Sequence, residues 1–417
     1  MPYVLTDDNN IIKIISDSKI HSEKYKSFFV SSFNEDILGH KAVSKKQEKI
    51  KIAIICNWND ACGISTYTQY LVYALVFDAD IKIFSEISNN RDEKYQNINV
   101  VQCWERGKSM IKAVKAIKEW NPDLVLIQHE FGIFPSASYF LTMIQELSDF
   151  PYVVTLHSVY QHLDKTISTS AIKNVIVHSK EAKDNLIALG HKNQIFVIPH
   201  GCVEIEGASE LWNCFQTPYT MVQFGFGFFY KGVDRAIDAL AYLKRTDKKF
   251  ENIFYCYLCS ESPHSPNTHQ NYYEYLTNKI KELDVVDNVA IIRKYHSEQI
   301  INNYLRTSKL ALFPYVSDPK NVVYGASGAI RIAMANHIPV IASESHMFDD
   351  LEGVVPRPND YLSLAKEIDE VFSNESYRME LKNKASEYIN KNNWDITAKR
   401  YLEVIKKVIK SENYVNV

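Results

Sequence analysis

Glycine is scarce in this chain, 13 of 417 residues, so a glycine at the end of an apolar run carries more weight here than it would elsewhere. Charge of one sign is missing too: 47 Lys and Arg meet 50 Asp and Glu, for a formal net charge of -3. That excludes a protein-wide basic surface for nucleic acid and leaves only a local patch open. No apolar run is long enough to span a bilayer, and the first ten residues lack both the basic region and the apolar core of a signal peptide. Together these absences indicate the cytoplasm. The seven cysteines are odd in number, and Cys56 and Cys256 lie inside apolar runs, the pattern of buried free thiols. Cys256-Tyr257-Leu258-Cys259 has the spacing of a redox motif but no second pair to complete a metal site, so it reads as a core strand with two small apolar side chains.

What is present is a regular alternation. A chain of 417 residues exceeds what one hydrophobic core normally serves, which predicts two domains. Residues 1–48 are polar and rich in Lys, Ser and Asp and read as an N-terminal extension. Strands are then expected at Lys51–Cys56, Ile81–Phe84, Leu124–Ile127, Tyr152–Leu156, Val175–Val177 and Ile195–Ile198, with helices through Tyr70–Leu75, Ser109–Trp120, Ser136–Leu147 and Lys180–Leu189. The pattern breaks after Pro199-His200-Gly201 through Gln216 and restarts. The second series has strands at Thr220–Phe224, Ile253–Leu258, Val289–Ile292 and Leu310–Phe313, and helices at Val233–Leu243, Tyr272–Leu283 and Glu298–Leu305. Helices near Tyr361–Phe372, Glu375–Ile389 and Trp394–Lys410 end the chain. Strands alternating with such helices form right-handed βαβ units around parallel sheets. The expected organisation is a first domain over 49–205, a second over 206–393, and a C-terminal helix, 394–417, packing back on the first, with a cleft between the domains as the default site.

The stretch from Phe313 to Ser343 is the sharpest local signal. An apolar strand ends in a polar loop, Ser327-Gly328 opens a helix marked by Ile330, Ala333 and Met334, and Pro339 precedes another short strand, Val340–Ala342. In an open parallel sheet, a strand's carboxyl end with a helix N-terminus behind it is where an anionic ligand sits. An ordinary strand-to-helix connection would look the same.

Five further groups occur in a set order: Asn57-Trp58-Asn59 with Cys62-Gly63-Ile64, Gln128-His129-Glu130-Phe131-Gly132, Thr155-Leu156-His157, Ile198-Pro199-His200-Gly201, and Phe224-Gly225-Phe226 with Tyr230-Lys231-Gly232. In order and spacing, over roughly Lys51 to Ile389, they resemble glycosyltransferase family 4, and most closely its mannosyltransferase-like branch. The resemblance implies an α/β GT-B fold, two Rossmann-like domains with parallel sheets facing across a cleft. It also implies a retaining, metal-independent glycosyltransferase that uses a nucleoside diphosphate sugar as donor substrate and no cofactor. On this reading His157 contacts the donor sugar or the reacting centre, Lys231 neutralises the leaving diphosphate, and His129 and Glu130 bind acceptor hydroxyls or act on the acceptor proton. Gly63, Gly225, Ser327 and Gly328 admit the donor, and Arg293 and Tyr295 hold its base. Each has a plainer alternative: a tight turn for Gly63, a satisfied core imidazole for His157 and His129, a solvated cation for Lys231 and Arg293.

The chain also departs from the family. Many members carry two acids eight positions apart in the Phe313–Ser343 stretch, where this sequence has Tyr324 and Ile332, and an Arg after the strand-ending glycine, where it has Phe226. Neither Tyr nor Ile accepts ribose hydrogen bonds as a carboxylate does; Arg331 and Arg235 are the candidates for the missing cation. The acceptor expected by default is a polysaccharide or lipid-linked sugar. Lys108, Lys112, Lys115 and Lys118, on or beside one helix, suit peripheral contact with an anionic membrane or merely a solvated face. A hydroxylated base in nucleic acid, a protein side chain, and a non-catalytic binding subunit of this fold stand as alternatives.

Overall fold

The computed structural model describes residues 49–60, 62–88, 98–161, 171–205, 215, 217–261 and 266–413. The extension read over 1–48 lies outside them, as do 206–214 and 216 of the irregular segment.

In the first half, strands β1 (Ile50–Cys56), β2 (Ala79–Glu86), β3 (Asn99–Trp104), β4 (Leu124–His129), β5 (Tyr152–Leu156), β7 (Asn174–Val177) and β8 (Gln194–Val197) form one seven-stranded sheet in the order β3-β2-β1-β4-β5-β7-β8. Every pairing in it is parallel. The helices between them are α1 (Gly63–Leu75), α2 (Ile111–Trp120), α3 (Ala137–Glu146) and α4 (Lys180–Ala188). The second half repeats the plan with β9 (Thr220–Phe226), β10 (Phe254–Ser260), β11 (Val289–Arg293), β12 (Leu310–Phe313) and β14 (Val340–Ala342), in the parallel order β11-β10-β9-β12-β14. Its helices are α5 (Val233–Thr246), α6 (Pro266–Glu282), α7 (Glu298–Thr307) and α8 (Gly328–Ala335). Helices α9 (Tyr361–Ser373), α10 (Glu375–Lys391) and α11 (Trp394–Asn413) complete the chain.

Two sequence expectations are extended. Strand β3 was not foreseen because its first four residues are only half-buried or exposed, so it has no apolar run. Helix α6 starts at Pro266, where proline's fixed φ suits a first turn, rather than at Tyr272, where the apolar spacing begins.

In each sheet the strand order reverses once, between β1 and β4 and between β9 and β12. A crevice opens outside the carboxyl ends of strands at such a point. The loops leaving β1, β4, β9 and β12 carry Gly63, His129-Glu130, Gly225 to Lys231, and Pro314-Tyr315.

The chain crosses between the halves twice, side by side. The Cys202 N–H donates to the Asn392 carbonyl at 2.7 Å, and Cys202 bridges Asn393. Helix α11 returns to the first sheet, where Trp394, Ala398, Tyr401, Leu402, Ile405 and Val408 are buried against Ile52, Ile54, Leu71 and Leu75. Burial of such side chains stabilises by roughly 1.5–3 kcal/mol each. The Tyr401 hydroxyl lies 2.9 Å from that of Tyr67 and 3.1 Å from Thr155 Oγ1, which fixes the helix in register. A second seam is a two-stranded antiparallel sheet made by one short strand from each half, β6 (Ser158–Tyr160) and β13 (Val323–Gly325), with Tyr324 opposite Val159. Among the described residues no helix is long and apolar enough to cross a membrane.

At the crossing, a Cβ on Gly201 would lie 2.5 Å from the Trp394 ring, which is itself stacked on Tyr70 and buried. Gly201→Ala is therefore expected to lower stability by about 1–3 kcal/mol through overpacking, read as a lower urea midpoint; an unchanged midpoint would mean that the indole moves aside freely.

Candidate functional site

The geometry is built outward from Lys231. It ends a 3-10 turn, Phe229–Lys231, in the loop after β9. Gly232 then turns the chain at φ 63°, and a Cβ there would sit 1.8 Å from the Pro314 carbonyl, so the close approach of this loop to the end of β12 requires glycine. The Lys231 carbonyl accepts from Gln223 Nε2 at 2.9 Å, and Tyr255 donates to Gln223 Oε1 at 2.5 Å. The backbone of Lys231 is thus tied to two buried positions in the sheet.

The side chain is 9% exposed. Its Nζ donates to the Tyr315 hydroxyl at 2.6 Å and lies 4.1 and 4.9 Å from the ring centroids of Tyr315 and Tyr230. Among the described residues no carboxylate forms an ion pair with it. The Tyr315 hydroxyl in turn lies 3.1 Å from Ser327 Oγ. Because that hydroxyl is used there, Ser327, the N-cap of α8, makes no side-chain cap bond, and the first-turn N–H groups are left without one. The ammonium and the open helix end add their positive potential at one place. Gly225, at φ 136°, is beside them: a Cβ on it would be 3.7 Å from Lys231 Nζ. Lys231, Gly225, Ser327 and Gly328 therefore come together, joined through Tyr315, which the sequence reading did not name. Its only local signal is that it follows Phe313-Pro314 at a strand's carboxyl end.

In the first half, Glu130 directly follows β4. Burial raises its carboxyl, against hydrogen bonds from Ser158 and from the N–H groups of Gly132 and Phe131, and its Oε2 has no partner. Burial also raises the Tyr230 phenol, the Lys231 ammonium opposes this, and the Glu130 carboxyl adds to the rise. Gly63 opens α1 with nothing within 4 Å of where a Cβ would be, and the N-cap Cys62 makes no side-chain cap bond. The Asn57 amide, 1% exposed at the end of β1, has no partner for either polar atom.

Other candidates lie elsewhere. His129 is packed among Phe131, Phe134 and Phe140 with centroids 4.5–5.4 Å away, a core imidazole. His157 is also committed internally: Nε2 is 2.8 Å from the Gln128 side-chain amide and Nδ1 is 3.2 Å from His178 Nε2, while His178 Nδ1 is 3.0 Å from the Ile198 carbonyl. That carbonyl only accepts, so His178 carries its proton on Nδ1 and accepts from His157 Nδ1–H. The remaining His157 Nε2 then needs a donor, which Gln128 supplies when its amide nitrogen faces the ring. Arg293 donates to Glu261 at 2.5 Å and to Gln270 at 3.0 Å, and lies over Tyr273. Tyr295 is 63% exposed on the rim.

The positions where the sequence departs from the family are resolved in physical terms. Tyr324 belongs to β13 and packs on the first domain's core and on His346, centroids 4.3 Å apart. Ile332 is half-buried against the second core, and Phe226 groups with Phe228 and His269. Arg331 is fully buried and ion-paired to Asp350, and Arg235 lies near Asp360. Of the four lysines on or beside α2, Lys108, Lys115 and Lys118 pair with Glu105, Glu119 and Glu146. Among the described residues no group of three or more His, Cys, Asp or Glu is placed to hold a metal ion.

Comparison with known proteins agrees with this plan. Residues 63–203 match the family Glycosyltransferase Family 4, and residues 210–388 match Glycosyl transferases group 1. No curated protein sequence matches the chain. Among solved structures, HepE of Anabaena, determined in complex with UDP and glucose, superposes with a TM-score of 0.65 at 15% identity, over 86% of this chain and 100% of its own. A glycosyltransferase from Rickettsia africae gives 0.67 at 15%, over 87% and 100%. The trehalose-6-phosphate synthase OtsA gives 0.69 at 11%, over 85% and 99%. At these identities the likeness is one of fold: two Rossmann-like domains in the GT-B arrangement.

The buried imidazoles make stability depend on pH. Burial pushes His129 to about 3 and His178 to about 4, and takes His157 and His200 well below the usual histidine range. Unfolded, each takes up its proton near 6.5, so below that pH the unfolded chain binds more protons and stability falls with acidification. Glu130, raised on folding, acts in the opposite sense, but one group opposes four. The urea midpoint is expected to drop steadily from pH 7 to pH 5, with each imidazole contributing up to about 1.4 kcal/mol per pH unit; a flat profile would mean that these rings titrate normally in the fold.

Proposed function

We propose that this chain, which belongs to glycosyltransferase family 4, transfers a sugar from a nucleoside diphosphate donor to an acceptor hydroxyl with retention of anomeric configuration. The observation that carries the reading is the Lys231 ammonium, nearly buried and held by a phenol and two aromatic faces, beside the uncapped N-terminus of α8. A desolvated cation without a carboxylate costs stability unless an anion completes it. The leaving diphosphate supplies that anion, and the interaction strengthens as the bond to the sugar breaks and charge builds on the phosphate.

In this reading the donor lies along the carboxyl ends of β9 and β12, and the acceptor approaches from the β1 and β4 side. The Glu130 carboxyl, whose Oε2 has no partner, accepts a hydrogen bond from a neighbouring hydroxyl of the acceptor and so orients the reacting one. The oxygen of the reacting acceptor hydroxyl bonds to the anomeric carbon on the face from which the phosphate departs. The carbon–phosphate oxygen bond breaks, and the hydroxyl proton passes to the departing phosphate oxygen. No cofactor or metal enters these steps, and the charge that a metal would neutralise is met by Lys231 and α8. Because HepE was solved with UDP and glucose, UDP-sugars are the first donors to offer.

The acceptor we favour is a glycan or lipid-linked sugar. Beyond the ends of β1 and β2, Arg106 stands between Glu86 and Asp60, at 2.8 and 4.0 Å, so its charge is met by two carboxylates, which suits an uncharged hydroxyl better than a phosphate backbone.

Lys231→Ala is expected to lower kcat by roughly 10²–10³-fold, the usual cost of removing a charge-stabilising group, with transfer followed by mass spectrometry using a panel of donors and sugar acceptors. Wild-type turnover in that variant would remove the assignment. In parallel, activity is expected to persist in chelator, and NMR of the product is expected to show the donor's anomeric configuration; inversion would sink the front-face route.

A further inference from the structure

Arg331 is the largest fully buried side chain in the described residues, and the reaction as drawn above does not use it. Its Nε donates to the His200 carbonyl at 3.3 Å and its Nη1 to the Ser327 carbonyl at 2.7 Å. Nη2 is paired with Asp350 and lies 3.4 Å from the Tyr388 hydroxyl, which itself donates to Asp350 at 2.6 Å. His200 sits where the chain crosses from the first domain to the second. Gly328 packs against it, since a Cβ on Gly328 would be 3.4 Å from His200 Nε2. Ser327 is the residue whose hydroxyl meets Tyr315, and Tyr315 is the one hydrogen-bonded to the ammonium. One continuous series of polar contacts therefore runs from the interdomain crossing through Arg331, Ser327 and Tyr315 to Lys231.

A buried guanidinium with four acceptors is geometrically demanding. Its plane fixes the relative directions of its donors, so moving the His200 carbonyl shifts the Ser327 backbone or breaks a charge-assisted bond. We propose that Arg331 is a positioning residue that sets the Ser327–Tyr315–Lys231 series against the crossing at His200, so that the ammonium takes its productive place only when the two domains are docked. The inference rests on the reading of Lys231 as the counter-charge of the leaving diphosphate. A simple structural brace would also bury Arg331, but it would have no reason to share its effect with Tyr315, whose hydroxyl it never touches.

The test is a double-mutant cycle in the full chain, with kcat and donor KM measured separately. Tyr315→Phe and Arg331→Lys are each expected to lower kcat about tenfold, the scale of one hydrogen bond to a charged group, with donor KM changed by less than about threefold. The double variant is expected to fall no further than the worse single, because both interrupt one series, instead of the roughly hundredfold of independent effects. Should Arg331→Lys fail to fold, Tyr388→Phe, which removes a hydroxyl that contacts both the guanidinium and Asp350, replaces it in the same cycle. Multiplying effects, or a Tyr315→Phe enzyme at the wild-type rate, would overturn the positioning role and leave the transferase reading standing. A wild-type protein that turned over no donor would overturn both.

Discussion

A single ammonium held away from water without a carboxylate is the interaction on which the cleft depends. Lys231 could have been neutralised by a nearby acid, as most buried cations are. Instead it rests on the Tyr315 hydroxyl and on two aromatic faces, which stabilise a cation without cancelling its charge. The scaffold spends much of its detail on keeping that arrangement: Gln223 holds the Lys231 carbonyl, Gly232 lets the loop close on Pro314, and Ser327 gives its hydroxyl to Tyr315 instead of capping α8. The result is a positive site with no ion-paired carboxylate among the described residues.

The two domains meet through contacts of different character. The crossing near Gly201 and Trp394 is aromatic and tightly packed, while β6 and β13 meet by backbone hydrogen bonds between two three-residue strands. The second seam joins two parts of the candidate site, because Ser158, which hydrogen-bonds Glu130, is opposite Gly325, two residues before Ser327. Tyr324 is used here as a wedge between domains, which explains why an aromatic stands where a carboxylate was looked for. Its ring packs against the first domain's core and against His346.

The histidines show how a motif separates into parts once folded. His129 and Glu130 are adjacent in sequence, yet one enters the aromatic core and the other keeps a buried carboxyl oxygen without a partner. Alternation along β4 sends neighbouring side chains to different surroundings. His157 and His178 form a neutral hydrogen-bonded series that orders the ends of β4, β5 and β7. These rings serve the rigidity of the wall, and their low proton affinity is the trace of that service.

The sequence by itself determined the alternation of strands and helices, the two-domain plan, and the loops that carry Gly63, Glu130, Lys231 and Ser327, because strand-end loops and apolar spacing are set by near neighbours. Edge strand β3 and the short strands β6 and β13 were not legible: three residues carry no period, and an edge strand carries little apolar signal. Only the tertiary structure decided that Lys231 has no ion-paired carboxylate among the described residues and meets Tyr315, 84 residues away, or that Arg331 is consumed by Asp350 and by the His200 carbonyl, 131 residues away. Whether a polar side chain is spent inside the fold or left for a ligand depends on partners brought from distant parts of the chain, and no local pattern records them.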